Sequence, residues 1–315
     1  MKANLPALLA GLTAAAIWGG MYAVSKVVLQ VIPPFALLSL RLILGFLALA
    51  GLAAFRSGAF RSGAVTRDRG RRMGGRDVPA ALAVGFVGYG ISLGFQFVGT
   101  KLSTASAASL VTSATPALVL PFAVVLLKEK VTFRRIVSLV TATLGVLAIV
   151  EPWNPGVASA ATASTAIAMP LIDPALIGNL CLIVAAATWA LYSVLVRKVS
   201  ASADLLASSA VMLLGGIPTS LLLGARELAT VGLGTIDVSI VAGVLFLGIV
   251  STALAMYLWN YAFANLSAST ASLTFFAQPV VGALLGWALL GERITPLFLA
   301  GGVLIGAGLL IARKD

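Results

Sequence analysis

The sequence predicts an all-α integral membrane protein with ten transmembrane helices, arranged as two inverted five-helix repeats. Composition is the first reason. Of 315 residues, 60% are hydrophobic and only 10% charged, and mean hydropathy is +1.07. A soluble domain carries about 25% charged residues, so this much apolar surface calls for lipid as solvent. An internal repeat is the second reason. Residues 104–149 and 267–312 align without a gap at an offset of 163, with 14 of 46 positions identical. Shared Ala and Leu mean little in so apolar a chain. The pairing of Pro116 with Pro279, Glu129 with Glu292, Thr132 with Thr295 and Gly145 with Gly308 means more, and a repeat has to be recognised before a fold is assigned. The third reason is the placement of basic residues, which follows from the element order.

Apolar segments of about 20 residues are long enough to cross a bilayer. They fall at roughly 6–28, 33–55, 78–98, 104–127, 132–150, 174–196, 203–223, 238–261, 267–290 and 295–312. Only the short KEKV and GERI links separate the fourth span from the fifth and the ninth from the tenth. Each link ends in a threonine, Thr132 or Thr295, a good N-cap for the helix that follows. Pro296 then falls at a first helical position, where its missing N–H costs nothing. The repeat extends to the other spans. Trp18 and Lys26 in the first correspond to Trp189 and Arg197 in the sixth, and Phe95–Phe97 in the third to Trp259–Tyr261 in the eighth. Residues 1–150 therefore read as one repeat and 174–315 as the other. The Ala/Ser/Thr-rich stretch 151–173 reads as a periplasmic linker.

Five is odd, so a first repeat that starts inside leaves the second to start outside. With the N-terminus inside, the cytoplasmic side receives 16 of the 21 basic residues. They include the Arg-rich loop 56–77, Lys128, Lys130, Arg134, Arg135, Arg197 and Lys198, while Lys26, Lys101, Arg226 and Arg293 lie outside. This satisfies the positive-inside rule, and loop 56–77 reads as a topology determinant near anionic lipid. It also answers the net charge of +11: the partner of the basic residues is the bilayer, not nucleic acid. The apolar N-terminal segment after Lys2 resembles a signal peptide, but its counterpart at mid-chain marks it as a span.

The doubled pattern S-x-A-S-L…P…x-E-[KR]-[VI]-T…G, set on ten apolar segments in two halves, resembles the EamA branch of the drug/metabolite transporter superfamily. The resemblance covers about 5–312, and Arg41 in SLRLILG matches an arginine common in that family. The long stretch 151–173 departs from the family's usual short connection. The resemblance implies a multi-pass carrier of the bacterial inner membrane with both termini cytoplasmic, often an exporter of amino acids or similar metabolites.

The residues support a carrier on their own terms. Inverted repeats are a recurrent design for alternating access, with the substrate site near the midplane between the halves. Pro116 and Pro279 lie inside spans, where each removes a backbone hydrogen bond and favours a kink. Gly85, Gly88, Gly90 and Gly94 permit close helix approach. Polar groups in lipid need partners, so polar helix faces look inward. Those faces carry Trp18 and Tyr22, Tyr89, Ser92 and Gln96, Ser109 and Thr112, Trp189 and Tyr192, Tyr257 and Asn260, and Thr274 and Gln278. The aromatics either line a substrate path or mark the membrane interface. Gln96, Asn260 and Gln278 either bind substrate or bond between helices. Arg41 is the one charge well inside a span; it holds a substrate carboxylate or draws helices together through backbone carbonyls. Glu129 and Glu292 sit at helix junctions, bracing the N-terminus of the following helix or gating.

Other chemistries are missing from the sequence. There is no His, Cys181 is the only cysteine, and no HExxH, Walker A or Cys/His cluster occurs, so no metal or cofactor is expected. An intramembrane hydrolase would need an embedded nucleophile and base, and no mid-span Asp, Glu or Lys is present to serve. The expected function is secondary-active or facilitative export of small metabolites such as amino acids; a channel-like or multidrug-efflux protein is the alternative, a membrane enzyme a more distant one. Reporter fusions after Arg72 and at the C-terminus should report cytoplasm, and one within 151–173 should report periplasm. A periplasmic C-terminus would sink the inverted arrangement.

Overall fold

The computed structural model describes residues 4–61, 75, 77–103, 108, 111–112, 114–150, 174–200, 204–290 and 296–313. Among these the chain is helical, with no strand. In order the helices are α1 (Leu5–Val28), α2 (Pro34–Arg61), α3 (Asp77–Leu102), α4 (Thr115–Leu127), α5 (Phe133–Val150), α6 (Pro174–Ser200), α7 (Leu205–Thr230), α8 (Val238–Asn265), α9 (268–290) and α10 (Pro296–Arg313). Six of them, α1, α2, α3, α6, α7 and α8, contain stretches of 22 to 28 residues long and apolar enough to cross a membrane. Apolar segments in α4 (Thr115–Leu127) and α10 (Leu299–Gly308) are shorter. Large apolar side chains such as Val125, Phe133, Leu222, Val238 and Val303 are exposed on the outside, which is the stable arrangement against lipid tails.

Local chemistry sets the helix ends. Asp204 accepts from Ala207 N at 2.9 Å to start α7, Asp237 from Ile240 N at 2.9 Å to start α8, and Ser267 from Thr270 N at 3.2 Å to start α9. Thr132 accepts from Arg135 N at 3.3 Å, the cap its sequence position predicts for α5. Bonds from the Ser239 hydroxyl and the Ile240 N–H hold the Asp237 carboxyl below its usual range. That cap is therefore complete at neutral pH and is lost as pH falls through the lowered value. The first N–H groups of α2 are capped from another helix: Glu227 of α7 accepts from Phe35 N and Ala36 N at 2.7 and 3.2 Å.

Two long helices are not regular. α3 carries a π-helical segment at Phe86–Ser92 and α8 one at Phe246–Leu254. The prolines also depart from the expectation of kinks within continuous helices. Pro116 lies in the first turn of α4, just after a turn residue at Ala114, and Pro279 follows the 3-10 turn Thr274–Phe276 within α9. Pro116 thus falls in a first turn, where its missing N–H costs nothing, and Pro279 is the third residue of the α-helical part Ala277–Leu290 that follows the 3-10 turn.

The helices pack in specific pairs. α2 lies against α7 and α5 against α10, α3 against α6 and α7, and α8 against α1 and α2; α4 contacts α6 and α9, and α9 contacts α1. Small residues let the backbones meet, as expected where lipid supplies no hydrophobic drive between helices. A Cβ on Gly85 would stand 1.8 Å from the Met212 carbonyl oxygen, and one on Gly215 2.2 Å from that of Leu82, so α3 and α7 touch backbone to backbone. On α5 and α10, a Cβ on Gly145 would meet Gly301 O at 2.6 Å and one on Gly308 would meet Ser138 O at 2.9 Å. Ser138 Oγ also donates to Gly308 O at 2.7 Å.

Polar clusters tie the helix ends together. At one end Lys26, near the end of α1, donates to the carbonyls of Thr100 and Ser103 at 3.0 and 2.6 Å. Ser103 donates to Asn179 at the start of α6 at 2.8 Å. The ends of α1 and α3 thus meet the beginning of α6. At the opposite end of α6, Arg197 donates to the Leu266 carbonyl and to Glu129 Oε1. Glu129 also accepts from Ala268 N at 2.8 Å, from Ser269 Oγ at 2.8 Å and from Arg135 at 3.4 Å. Its carboxylate therefore caps α9, not the following helix α5. The cause is Lys128, in the left-handed conformation at φ 54, which ends α4 and turns the carboxylate across to α9. Glu292 lies outside the described residues.

Two outcomes follow. Gly85→Ala should lower the melting temperature in detergent by the equivalent of about 1–3 kcal/mol of overpacking, whereas Gly302→Ala, with open space around its Cα, should leave it unchanged or raise it. Glu129→Ala should also lower it, by about 1–2 kcal/mol for the lost cap. An unchanged melting temperature with transport abolished would remove Glu129 from the bracing role and make it a gate.

Candidate functional site

Trp18 is buried where four helices bring aromatic rings together. Its indole N–H donates to the Ser251 carbonyl at 3.0 Å, a carbonyl within the π-helical segment of α8. Around it stand Trp189 at 5.5 Å between ring centroids, edge to face, Trp259 at 5.3 Å and Phe275 at 5.7 Å. Such tilted and edge-on pairs suit the ring quadrupoles. The rings come from α1, α6, α8 and α9.

Beside this cluster lies a partly open cavity, with about 370 Å³ of unfilled space when its open side is included, lined by residues of α1, α3, α4, α6, α8 and α9 and of the helical residues just before α4. Of the residues singled out in the sequence, Trp18, Tyr22, Gln96, Thr112, Trp189 and Gln278 line it, as does Ser92. No charged side chain is among the lining residues.

A polar chain runs along one side of the cavity. Gln96 Nε2 donates to Tyr22 Oη at 3.1 Å, and Tyr22 Oη donates to Thr112 Oγ1 at 2.9 Å. Thr112 Oγ1 donates to the Ala108 carbonyl at 2.7 Å. Gln278 Nε2 approaches the same Thr112 oxygen at 3.5 Å. A second chain lies behind the aromatic cluster. The Tyr89 and Tyr192 hydroxyls are bonded to each other. Tyr192 Oη donates to Asn260 Oδ1 at 2.8 Å, and Asn260 Nδ2 to Ser209 Oγ at 3.0 Å. All of these groups are buried. Tyr89, Tyr192 and Asn260 thus join α3, α6, α7 and α8 without lining the cavity.

Arg41 is fully buried one layer further back. Its Nε donates to Thr252 Oγ1 at 2.7 Å and its Nη2 to Ser251 Oγ at 3.3 Å and Met21 Sδ at 3.6 Å, while Nη1 has no partner. The guanidinium carbon stands 5.2 Å from the centre of the Phe97 ring. Met21, which lines the cavity, separates the charge from it. Tyr257 is half-buried and outside the cavity, and Ser109 lies outside the described residues.

The hydroxyl-bearing Thr115 and the apolar Met21, Leu93, Ala185, Ala186, Met256 and Phe275 complete the wall and were not singled out in the sequence. Apolar residues in an apolar chain carry no local signal. Ser251 and Thr252 were missed because π-helical geometry, which turns their carbonyl and hydroxyl towards Trp18 and Arg41, has no sequence signature of its own.

Known proteins resemble this chain in sequence and fold. The EamA-like transporter family matches residues 5–151 and 176–313. A protein of Archaeoglobus fulgidus named "Uncharacterized transporter" is 27% identical over 94% of this chain and 95% of its own length. A protein of Salmonella typhimurium named "Probable amino-acid metabolite efflux pump" is 29% identical over 94% of this chain and 90% of its own. A crystal structure with 20% sequence identity superposes with a TM-score of 0.72, covering 97% of this chain and 96% of the other, and so shares the fold. With all-helical architecture, membrane-length apolar helices and this match over both parts of the sequence, the chain belongs to the EamA-like transporter family and is a multi-pass membrane transporter, not an enzyme.

Proposed function

We propose that the protein is a ten-span carrier of the bacterial inner membrane that exports small amino-acid-like metabolites by alternating access. In this reading residues 1–150 and 174–315 are inverted repeats, with both termini cytoplasmic and 151–173 periplasmic. The observation that carries it is the cavity, without a charged lining residue, between helices from both parts of the chain. The name of the Salmonella typhimurium relative supports amino-acid export.

Contacts that recur at the repeat offset support the inverted arrangement. Lys26 reaches the Ser103 carbonyl and Arg197 reaches that of Leu266; Lys26 and Arg197 correspond in the repeat, and Ser103 and Leu266 are 163 positions apart. Gly145 approaches Gly301 and Gly308 approaches Ser138, again related by that offset. The end of α1 and the start of α6 both bond to Ser103, as expected when the second repeat enters from the opposite face.

Arg41 favours a carboxylate over a cation. None of its hydrogen-bond partners among the described residues is acidic, and one of them, Met21, lines the cavity. A positive field in a low-dielectric interior attracts an anionic group and repels a cationic one. This speaks against the cationic ligands of the multidrug alternative.

Saturable counterflow of a labelled neutral amino acid in proteoliposomes is the test. Accelerated exchange by internal unlabelled substrate is expected, and linear, non-saturable flux would replace the carrier by a channel. In the same assay Arg41→Gln should slow an amino acid roughly three- to tenfold, the size of one polar interaction, and its amide far less. Equal losses would make Arg41 structural only.

A further inference from the structure

Two buried polar atoms at the cavity have no partner within the protein: Trp189 Nε1, a donor, and Gln278 Oε1, an acceptor. Buried polar groups are ordinarily satisfied, and each exception needs a cause. The indole N–H can only donate. The orientation of the Gln278 amide follows from its neighbours. Thr112 spends its one hydroxyl hydrogen on the Ala108 carbonyl, so it must accept from Gln278, and the amide nitrogen faces it. The amide oxygen is then left without a donor.

The two residues approach the cavity from different helices, α6 and α9, Trp189 against the ring of Trp18 and Gln278 against the backbone next to it. Trp189 packs edge to face on that ring, and the backbone of Gln278 passes against Gly19, where a Cβ would stand 2.7 Å from the Gln278 carbonyl. The wall between them is apolar, formed by Trp18, Phe275, Met21 and Met256.

We infer that Trp189 and Gln278 are the specificity-determining pair of the carrier: the transported molecule is a small compound with an apolar body, whose acceptor group takes the Trp189 N–H and whose donor group takes the Gln278 amide oxygen. A neutral amino acid with an aliphatic or aromatic side chain is the simplest such compound. Its carboxylate lies towards Trp189, its ammonium towards Gln278, and its side chain against the aromatic wall. Within the carrier reading on which this rests, the pair sets which solutes are chosen. Desolvating both groups costs free energy unless each finds its bond, so a solute with only one of them leaves a protein atom unpaired and binds less well.

The test uses purified protein in nanodiscs, with binding of L-leucine, 4-methylpentanoate (acceptor only) and isoamylamine (donor only). Leucine should bind at least tenfold more tightly than either analogue. Trp189→Phe keeps the ring and loses the N–H; it should weaken leucine and 4-methylpentanoate roughly three- to tenfold and leave isoamylamine unchanged. Gln278→Met keeps the length and loses the amide; it should weaken leucine and isoamylamine and leave 4-methylpentanoate unchanged. Trp18→Phe, whose N–H is already bonded to Ser251, should move all three probes alike. Equal losses for all probes in both variants would overturn the pairing and assign the two atoms to water. Should a variant fail to fold, the wild-type ranking still decides: analogues that bind as tightly as leucine overturn it. Absence of binding by all three overturns the substrate class, and counterflow with other solutes then judges the carrier reading separately.

Discussion

Lipid offers no hydrogen bonds, so every polar group placed at membrane depth must find its partner inside the chain. That constraint organises the interior. Tyr22, Gln96 and Thr112 satisfy one another across α1, α3 and the segment before α4. Tyr89, Tyr192, Asn260 and Ser209 do so across α3, α6, α8 and α7. Trp259 donates to Ser193 at 3.1 Å, and Ser193 to the Trp189 carbonyl at 2.8 Å. Against this background the unpaired atoms stand out. Among the described residues, Trp189 Nε1 and Gln278 Oε1 border the cavity, and Arg41 Nη1 lies one side chain behind it.

The irregular helices extend the same principle. A π-helical segment shifts the ladder by one residue and frees backbone groups for other partners. In α8 this segment carries the Ser251 carbonyl that holds Trp18 and the Ser251 and Thr252 hydroxyls that hold Arg41. Thr252 returns its own proton to the Leu247 carbonyl at 2.7 Å. One short stretch thereby fixes a cavity wall from α1 and a buried cation from α2. The approach of α2 to α8 depends on small residues. A Cβ on Gly45 would meet the Thr252 methyl at 2.7 Å, and one on Gly248 would meet Leu44 at 2.6 Å.

Much of the frame was legible in the sequence because lipid makes composition informative. Apolar runs marked the long helices, the glycines of α3 marked close packing, and Gln96 and Gln278 faced the cavity as expected of amides with no other solvent. What stayed hidden depended on contacts distant in sequence. Glu129 follows the end of α4 and looked like a brace for α5; only the left-handed turn at Lys128 sends it to α9. Arg41 was visible as a buried charge, but its separation from the cavity by Met21 is a matter of side-chain layering that periodicity does not encode. Pro116 and Pro279 were read as kinks, because an interrupted helix and a bent one have the same hydropathy.

The repeat makes the frame regular and leaves the site irregular. Trp18 and Trp189 hold corresponding positions, yet one N–H is bonded to a freed carbonyl and the other is unpaired. Gln96 and Asn260 also correspond, but Gln96 joins the chain that lines the cavity while Asn260 is consumed behind it by Tyr192 and Ser209. A frame of matched helix contacts can rearrange as a unit, because each contact has a counterpart that changes with it. A binding site needs the reverse, since equivalent groups on both sides would accept a solute in two orientations with equal energy. In the proposed carrier, divergence of a few side chains at repeated positions leaves an unpaired donor on α6 and an unpaired acceptor on α9 at the cavity, and hence gives a solute a direction, without disturbing the packing that supports it.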